Sequence, residues 1–289
     1  MKIMNRLFAL VCFCIAPLVI SSCHIDPDAP YSEPYDAGEF GRPKFESESA
    51  LYKISSGESD LSSIELTASG YYIVIKKTSR KLSSVNGSSA GLFDSRFRSI
   101  STRSAKSIIS GTYKKTGNGV YVLDGFGTIV IKGGDNNSIS LDITTNNGNK
   151  VEVGAMKADQ YESSTKTNAL CRTWDLGKVL VHSPSGDLSY ANMLDYLKGE
   201  KHIEEEDDYP TNIIFTKSGT YVVLYSNKEL AVSTWAWENE ATGRARYSWD
   251  YSNIYSGDII DIVFEGRQAL VTEYFSSTKS VTYYLSETK

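Results

Sequence analysis

Residues 62–75 read SSIELTASGYYIVI, and residues 211–224 read TNIIFTKSGTYVVL. Set against each other without a gap, they share Ile64/Ile213, Thr67/Thr216, Ser69/Ser218, Gly70/Gly219, Tyr72/Tyr221 and Val74/Val223. Each stretch is a β-hairpin in outline: a strand-forming run ends at Thr, a Ser-Gly tip follows, and a second β-branched run returns. Glycine at the tip supplies the positive φ that such a turn often needs. The two copies lie 149 residues apart. Solenoid repeats recur about every 20–50 residues, so this spacing indicates a duplicated domain.

The rest of the chain agrees with that reading. It has 289 residues, which suggests about two domains. Hydrophobic residues make up 40% and charged residues 22%, as in globular rather than disordered chains. Nineteen Tyr and 22 Gly against 7 Pro favour strands joined by turns. Strand-like runs fall at 50–55, 62–67, 70–77, 108–115, 119–123, 127–132, 138–143 and 149–156, then at 172–182, 212–216, 219–226, 230–238, 245–250, 258–265, 268–275 and 280–286. Turn residues separate them, as in Gly117-Asn118-Gly119 and Asn146-Asn147-Gly148-Asn149. About eight strands close a small antiparallel barrel and remove its edges. The predicted fold is all-β: two tandem antiparallel β-barrels of about eight strands each, over 47–160 and 170–289. One short helix is expected in the second, over Ser189–Lys198 behind a Ser cap and against one barrel mouth.

The N-terminus reads as an address. Lys2 and Arg6 precede an apolar run of 14 residues, Leu7–Ile20, too short to span a bilayer. Residues 1–22 are therefore expected to be a signal peptide. Ile20-Ser21-Ser22-Cys23 resembles the lipobox of bacterial lipoproteins. That resemblance implies cleavage before Cys23, a diacylglyceryl thioether on its sulfur and an N-linked acyl chain such as palmitate. Several chains anchor a protein stably where one is marginal. Residues 23–46 hold four prolines and no apolar periodicity, as expected of a lipidated, extended tether. His24 follows Cys23, where an Asp would resemble an inner-membrane retention signal. Asp26 and Asp28 resemble the acidic surface-export signal of Bacteroidetes lipoproteins. The expected location is the cell envelope, at the outer membrane, with a lean toward the cell surface. Cys12 and Cys14 leave with the signal peptide and Cys23 is acylated, so Cys171 has no disulfide partner and reads as a buried small hydrophobe.

A family resemblance emerges further along. Leu170-Cys171-Arg172-Thr173-Trp174, then Ile214-Phe215-x-x-Ser218-Gly219-Thr220-Tyr221, Thr234-Trp235-Ala236-Trp237 and Ile262-x-Phe264-x-Gly266, resemble the lipocalin-like lipoproteins of Bacteroidetes. The match is clearest over 170–289 and looser over the first half. It departs at Arg172, where lipocalins carry Gly two residues before Trp, and all four Trp (174, 235, 237 and 249) lie in the second half. The resemblance implies two lipocalin-like barrels, the second holding a small apolar ligand.

Candidate site residues follow from alternation. Trp235 and Trp237 share one face of a strand, and Tyr247 and Trp249 share a face of the next. Trp235, Trp237, Trp249 and Tyr221 could line an apolar cavity or a saccharide platform, or could simply fill the barrel. The Ser-rich segment Ser79–Ser107 and its flanks carry Lys76, Lys77, Arg80, Lys81, Arg96, Arg98, Arg103 and Lys106 against Asp94 alone. Arg96, Arg98 and Arg103 are the expected contacts to an anionic surface, the other reading being a solvated loop. Glu204–Asp208 lacks the alternating ligand spacing of a Ca²⁺ loop, so no metal is expected. No Gly-x-Ser-x-Gly elbow, P-loop or zinc-type His/Cys spacing occurs, so neither an enzyme nor a cofactor is expected. The net charge of −5 argues against nucleic acid. The expected function is a membrane-anchored, non-enzymatic binding module for a small apolar or saccharide ligand. The alternative is a structural or protein-interaction component of the envelope with filled barrels.

Overall fold

The structure, a computed structural model, describes residues 40–77, 108–133, 138–201, 208–249 and 254–288. The N-terminal barrel runs β1 (Ala50–Ser56), β2 (Leu61–Leu66), β3 (Tyr71–Lys76), β4 (Ile108–Gly117), β5 (Val120–Leu123), β6 (Gly127–Lys132), β7 (Ile139–Thr145) and β8 (Lys150–Lys157). Each strand pairs antiparallel with the next, and β8 closes on β1. The C-terminal barrel follows the same plan: β9 (Thr173–His182), β11 (Pro210–Phe215), β12 (Thr220–Tyr225), β13 (Leu230–Asn239), β14 (Arg244–Ser248), β15 (Asp258–Glu265), β16 (Gln268–Tyr274) and β17 (Ser280–Glu287), with β17 closing on β9. A short additional strand, β10 (Leu188–Tyr190), extends the free part of the β9 edge that β11 does not reach. The duplicated all-β architecture read from the repeat is thus the observed one.

Both repeat hairpins form, in the same register, and the repeated residues do the same work twice. Ile64, Tyr72 and Val74 point into the first barrel, and Ile213, Tyr221 and Val223 into the second; all six are fully buried. Thr67 Oγ1 accepts from the Tyr71 amide at 3.0 Å, and Thr216 Oγ1 from the Thr220 amide at 3.1 Å, so the threonine hydroxyl holds each turn from inside. Gly70 and Gly219 take φ of +85° and +79°, values that cost an L-residue about 1–2 kcal/mol. Their carbonyls then accept from Tyr113 and Trp235 on β4 and β13, fixing the next strand but one to the turn.

Each barrel has its own core. Along β6 and β7 buried and partly exposed residues alternate, as a one-sided sheet requires. The repeat strands break that alternation: β2 and β12 are buried on both faces over most of their length. A third, smaller cluster explains it. Ile73, Ile214 and Val222 pack with Tyr71, Ile75, Leu224, Leu230 and Val232, so the outer faces of the two hairpins cover one another.

Three expectations need correction. The helix in the second domain is α2 (Met193–Lys201), later than Ser189–Lys198, and Asn192 caps it by accepting from the Asp195 amide at 2.9 Å. Ser189 belongs to β10 instead, where the strand ladder takes its backbone groups. A further helix not expected from periodicity, α1 (Thr165–Leu170), lies between the barrels; at six residues it is too short for a periodic pattern to register. Finally, the stretch assigned to the tether is folded at its end. Phe40 is 8% exposed and packs edge-on against Trp174 and Phe264, while Phe45 meets Tyr113 in a tilted contact at 5.1 Å. Two aromatics in a polar, Pro-rich stretch find apolar area that only the assembled barrels create.

Candidate functional site

The four aromatic candidates meet inside the C-terminal barrel. Trp235 is 1% exposed; its indole N–H donates to the Thr216 carbonyl at 2.9 Å, and its ring meets Phe215, Trp237 and Tyr161 at 5.0–5.5 Å. Trp237 is partly buried and donates from its indole to Thr167 Oγ1 at 2.9 Å, which ties β13 to α1. Tyr221 stands between Phe215, Tyr247 and Trp249 at 5.0–6.2 Å. These edge-on and tilted contacts are the preferred aromatic geometry. The indole donors of Trp235 and Trp237 are both committed to protein acceptors.

The barrel end where β9 starts is sealed from several directions. Ser164 caps α1 by accepting from the Thr167 amide, and it also bonds Glu240 at the start of the β13–β14 turn. Trp174 donates to the Leu170 carbonyl at 2.9 Å. Over it lies Arg172, 4% exposed, its guanidinium 5.8 Å from the Trp174 ring and 4.8 Å from the Phe40 ring. Arg172 Nε donates to the Ala169 carbonyl at 2.7 Å, Nη2 to Asn168 at 3.1 Å, and Nη1 pairs with Glu287. The Arg172 side chain is therefore the lid of this end. Cys171 beside it is buried, and burial pushes its thiol well above the usual range, which suits a packing role rather than a nucleophile.

Toward the other end the lumen becomes polar. Glu273, 2% exposed, accepts from Tyr247 at 2.5 Å and from Tyr283 at 3.1 Å. Tyr196 of α2 packs on Tyr283 at 6.2 Å, and Met193 and Leu197 join the same core, so α2 covers this mouth as expected. Burial, then the nearby Glu273 charge, pushes the Tyr247 and Tyr283 hydroxyls far above their ordinary value, so they remain donors at every physiological pH. Sequence reasoning missed Glu273. The signal was present, since Glu273 falls at an inward position of the alternation Ala269, Val271, Glu273.

On the outer wall, His182 lies 3.1 Å from Asp187 through Nδ1 and 3.2 Å from Thr282 Oγ1 through Nε2. This carboxylate–imidazole–hydroxyl series resembles a nucleophile relay. Thr282 is only 7% exposed and its hydroxyl also meets Thr272 at 2.9 Å. The backbone around it pairs with β9 and β16, so it does not present the two free N–H donors an acyl intermediate requires.

Cys23, residues 1–22, the basic residues Arg96, Arg98 and Arg103 and most of the acidic run 204–208 lie outside the described residues. Among the described residues no helix is long and apolar enough to cross a membrane. Compared with protein-family models and with curated proteins, the chain matches none.

Proposed function

We propose that the protein is a lipid-anchored, non-enzymatic component of the bacterial cell envelope, held to the outer membrane through Cys23, whose two docked barrels serve as a filled interaction scaffold. One observation carries the choice between the readings left open by the sequence: the Trp235 and Trp237 indoles pack on one another and spend their N–H donors on Thr216 and Thr167. A stacking platform for a sugar or an apolar guest needs those rings free on one side. A barrel of eight strands is either filled by its own side chains or holds one small ligand, and the packed indoles favour the first. The anchor rests on the lipobox Ile20–Cys23 and on the apolar run before it. With acyl chains in the membrane, the barrels meet partners at the envelope surface.

A second reading has its own support. The Glu273 carboxylate, inside the lumen between two tyrosine hydroxyls, is the kind of convergent polar group a ligand-binding barrel uses to orient a guest. Native mass spectrometry of the delipidated protein from its host separates the two. The scaffold reading expects the bare chain mass; a retained small molecule that Glu273→Gln releases would replace it with the binding reading.

The anchor makes a separate prediction. Cys23→Ala is expected to move the protein from the membrane to the soluble fraction of lysed cells. A variant that sediments with membranes as fully as the native protein would show that acylation is not what holds it.

A further inference from the structure

The outer faces of the repeat hairpins are themselves complementary. Ile73 and Val222 occupy equivalent places in the two copies and pack in one cluster, as do Ile75 and Leu224, so each copy brings the same strand positions to the junction. The repeated serines cross the junction in both directions. Ser69 Oγ accepts from the Thr173 amide of the C-terminal barrel at 2.9 Å, and Ser218 faces Glu65 of the N-terminal barrel. A Ser-Gly tip needs the glycine for its turn; the serine has its use in the partner barrel.

The correspondence between the copies fails at Glu65. Where the second copy has Ile214 in the shared cluster, the first has Glu65, 3% exposed. Hydroxyls of Thr220, Thr216 and Ser218 surround the carboxyl, yet Glu65 Oε1 has no hydrogen-bond partner. A carboxylate in that position would be desolvated without a matching cation. On its own sheet Glu65 neighbours Leu51 and Ile73, and Lys53, two residues along β1 from Leu51, is exposed. Across the junction, Lys217 turns its ammonium to Glu46 at 2.9 Å and Ser163 at 3.1 Å, Arg172 is bound to Glu287, and Cys171 is a neutral thiol.

We propose that Glu65 is a proton-operated latch: neutral, it lets the two hairpin faces close on each other, and ionised, it loosens the junction between the barrels. Burial raises the Glu65 carboxyl above its ordinary value, outweighing the three hydroxyls. With a raised value in the docked state, docking is strongest below the ordinary carboxylate value. It then weakens about tenfold per pH unit until the docked carboxyl itself ionises. The latch does not depend on whether the barrels hold a ligand.

The Thr173 amide reports on the junction directly, because it donates across it to Ser69. Hydrogen exchange of the full mature chain in detergent, corrected for the intrinsic pH dependence of exchange, tests the latch. Protection of Thr173 should fall about tenfold per pH unit above about pH 5, while the Trp235 amide, held by Gly219 within one barrel, keeps its protection. Glu65→Gln should make the Thr173 profile flat. Glu65→Leu, which copies the apolar character of Ile214, should do the same if the glutamine variant folds poorly. A flat profile in the native protein, or the native slope persisting in either variant, would overturn the proposal.

Discussion

Replacing Trp235 by alanine is expected to destabilise the C-terminal barrel by about 3–5 kcal/mol, the range for removing a buried Trp or Phe side chain. The site gives little chance of recovery. The ring is bounded by Phe215, Trp237 and Tyr161, each held by its own strand or by the linker, so the cavity cannot collapse. The lost indole also leaves the Thr216 carbonyl in the turn of the repeat hairpin without its side-chain donor. Urea unfolding followed by far-ultraviolet circular dichroism is the measurement. Two transitions are expected, with only the C-terminal one shifted, because the N-terminal barrel keeps a core of its own. A loss under about 1 kcal/mol would mean that the Trp235 site relaxes freely. The lumen would then be adaptable enough to admit a guest, and the scaffold reading would lose its main support.

The second large effect is expected at Arg172. Arg172→Ala should cost about 3 kcal/mol, the low end for removing one partner of a buried ion pair. The low end applies because Glu287 still has Arg267 beside it. The charge is not the whole contribution: the guanidinium also donates to two carbonyls at the end of α1 and lies against Phe40 and Trp174. Arg172→Lys keeps the charge but has neither the fork nor the flat face. It should recover less than half of the loss in thermal unfolding. Full rescue by lysine would show that charge alone closes this end of the barrel. Both Arg172 variants should also release the stretch around Phe40, making it accessible to protease, since Phe40 packs on the same guanidinium.

The two effects differ in how visible they were beforehand. Trp235 and Trp237 alternate along one strand, so their shared face followed from the period of two, and their burial follows from closure of the barrel. Arg172 looked like a departure from a family pattern, and nothing in its neighbourhood indicated that it stacks on Phe40, 132 residues earlier. Glu273 and Glu65 are intermediate. Alternation places Glu273 inward with Val271 but does not say what lies opposite it, and it places Glu65 outward without saying that anything covers it. For Glu273 the partners come from β14 and β17, and for Glu65 from the other barrel.

The number of barrels, their strand order and the turn chemistry were legible in the chain because they depend on local rules: side chains alternate, glycine alone adopts the tip geometry cheaply, and successive strands pair. The doubling was legible because six residues recur at a fixed offset. The docking of one hairpin on the other and the sealing of a barrel end by Arg172 and Phe40 were not. They depend on contacts between residues far apart in the chain. An apolar outward position on a strand looks the same in sequence whether water or another barrel covers it; only assembly shows which surface loses its water.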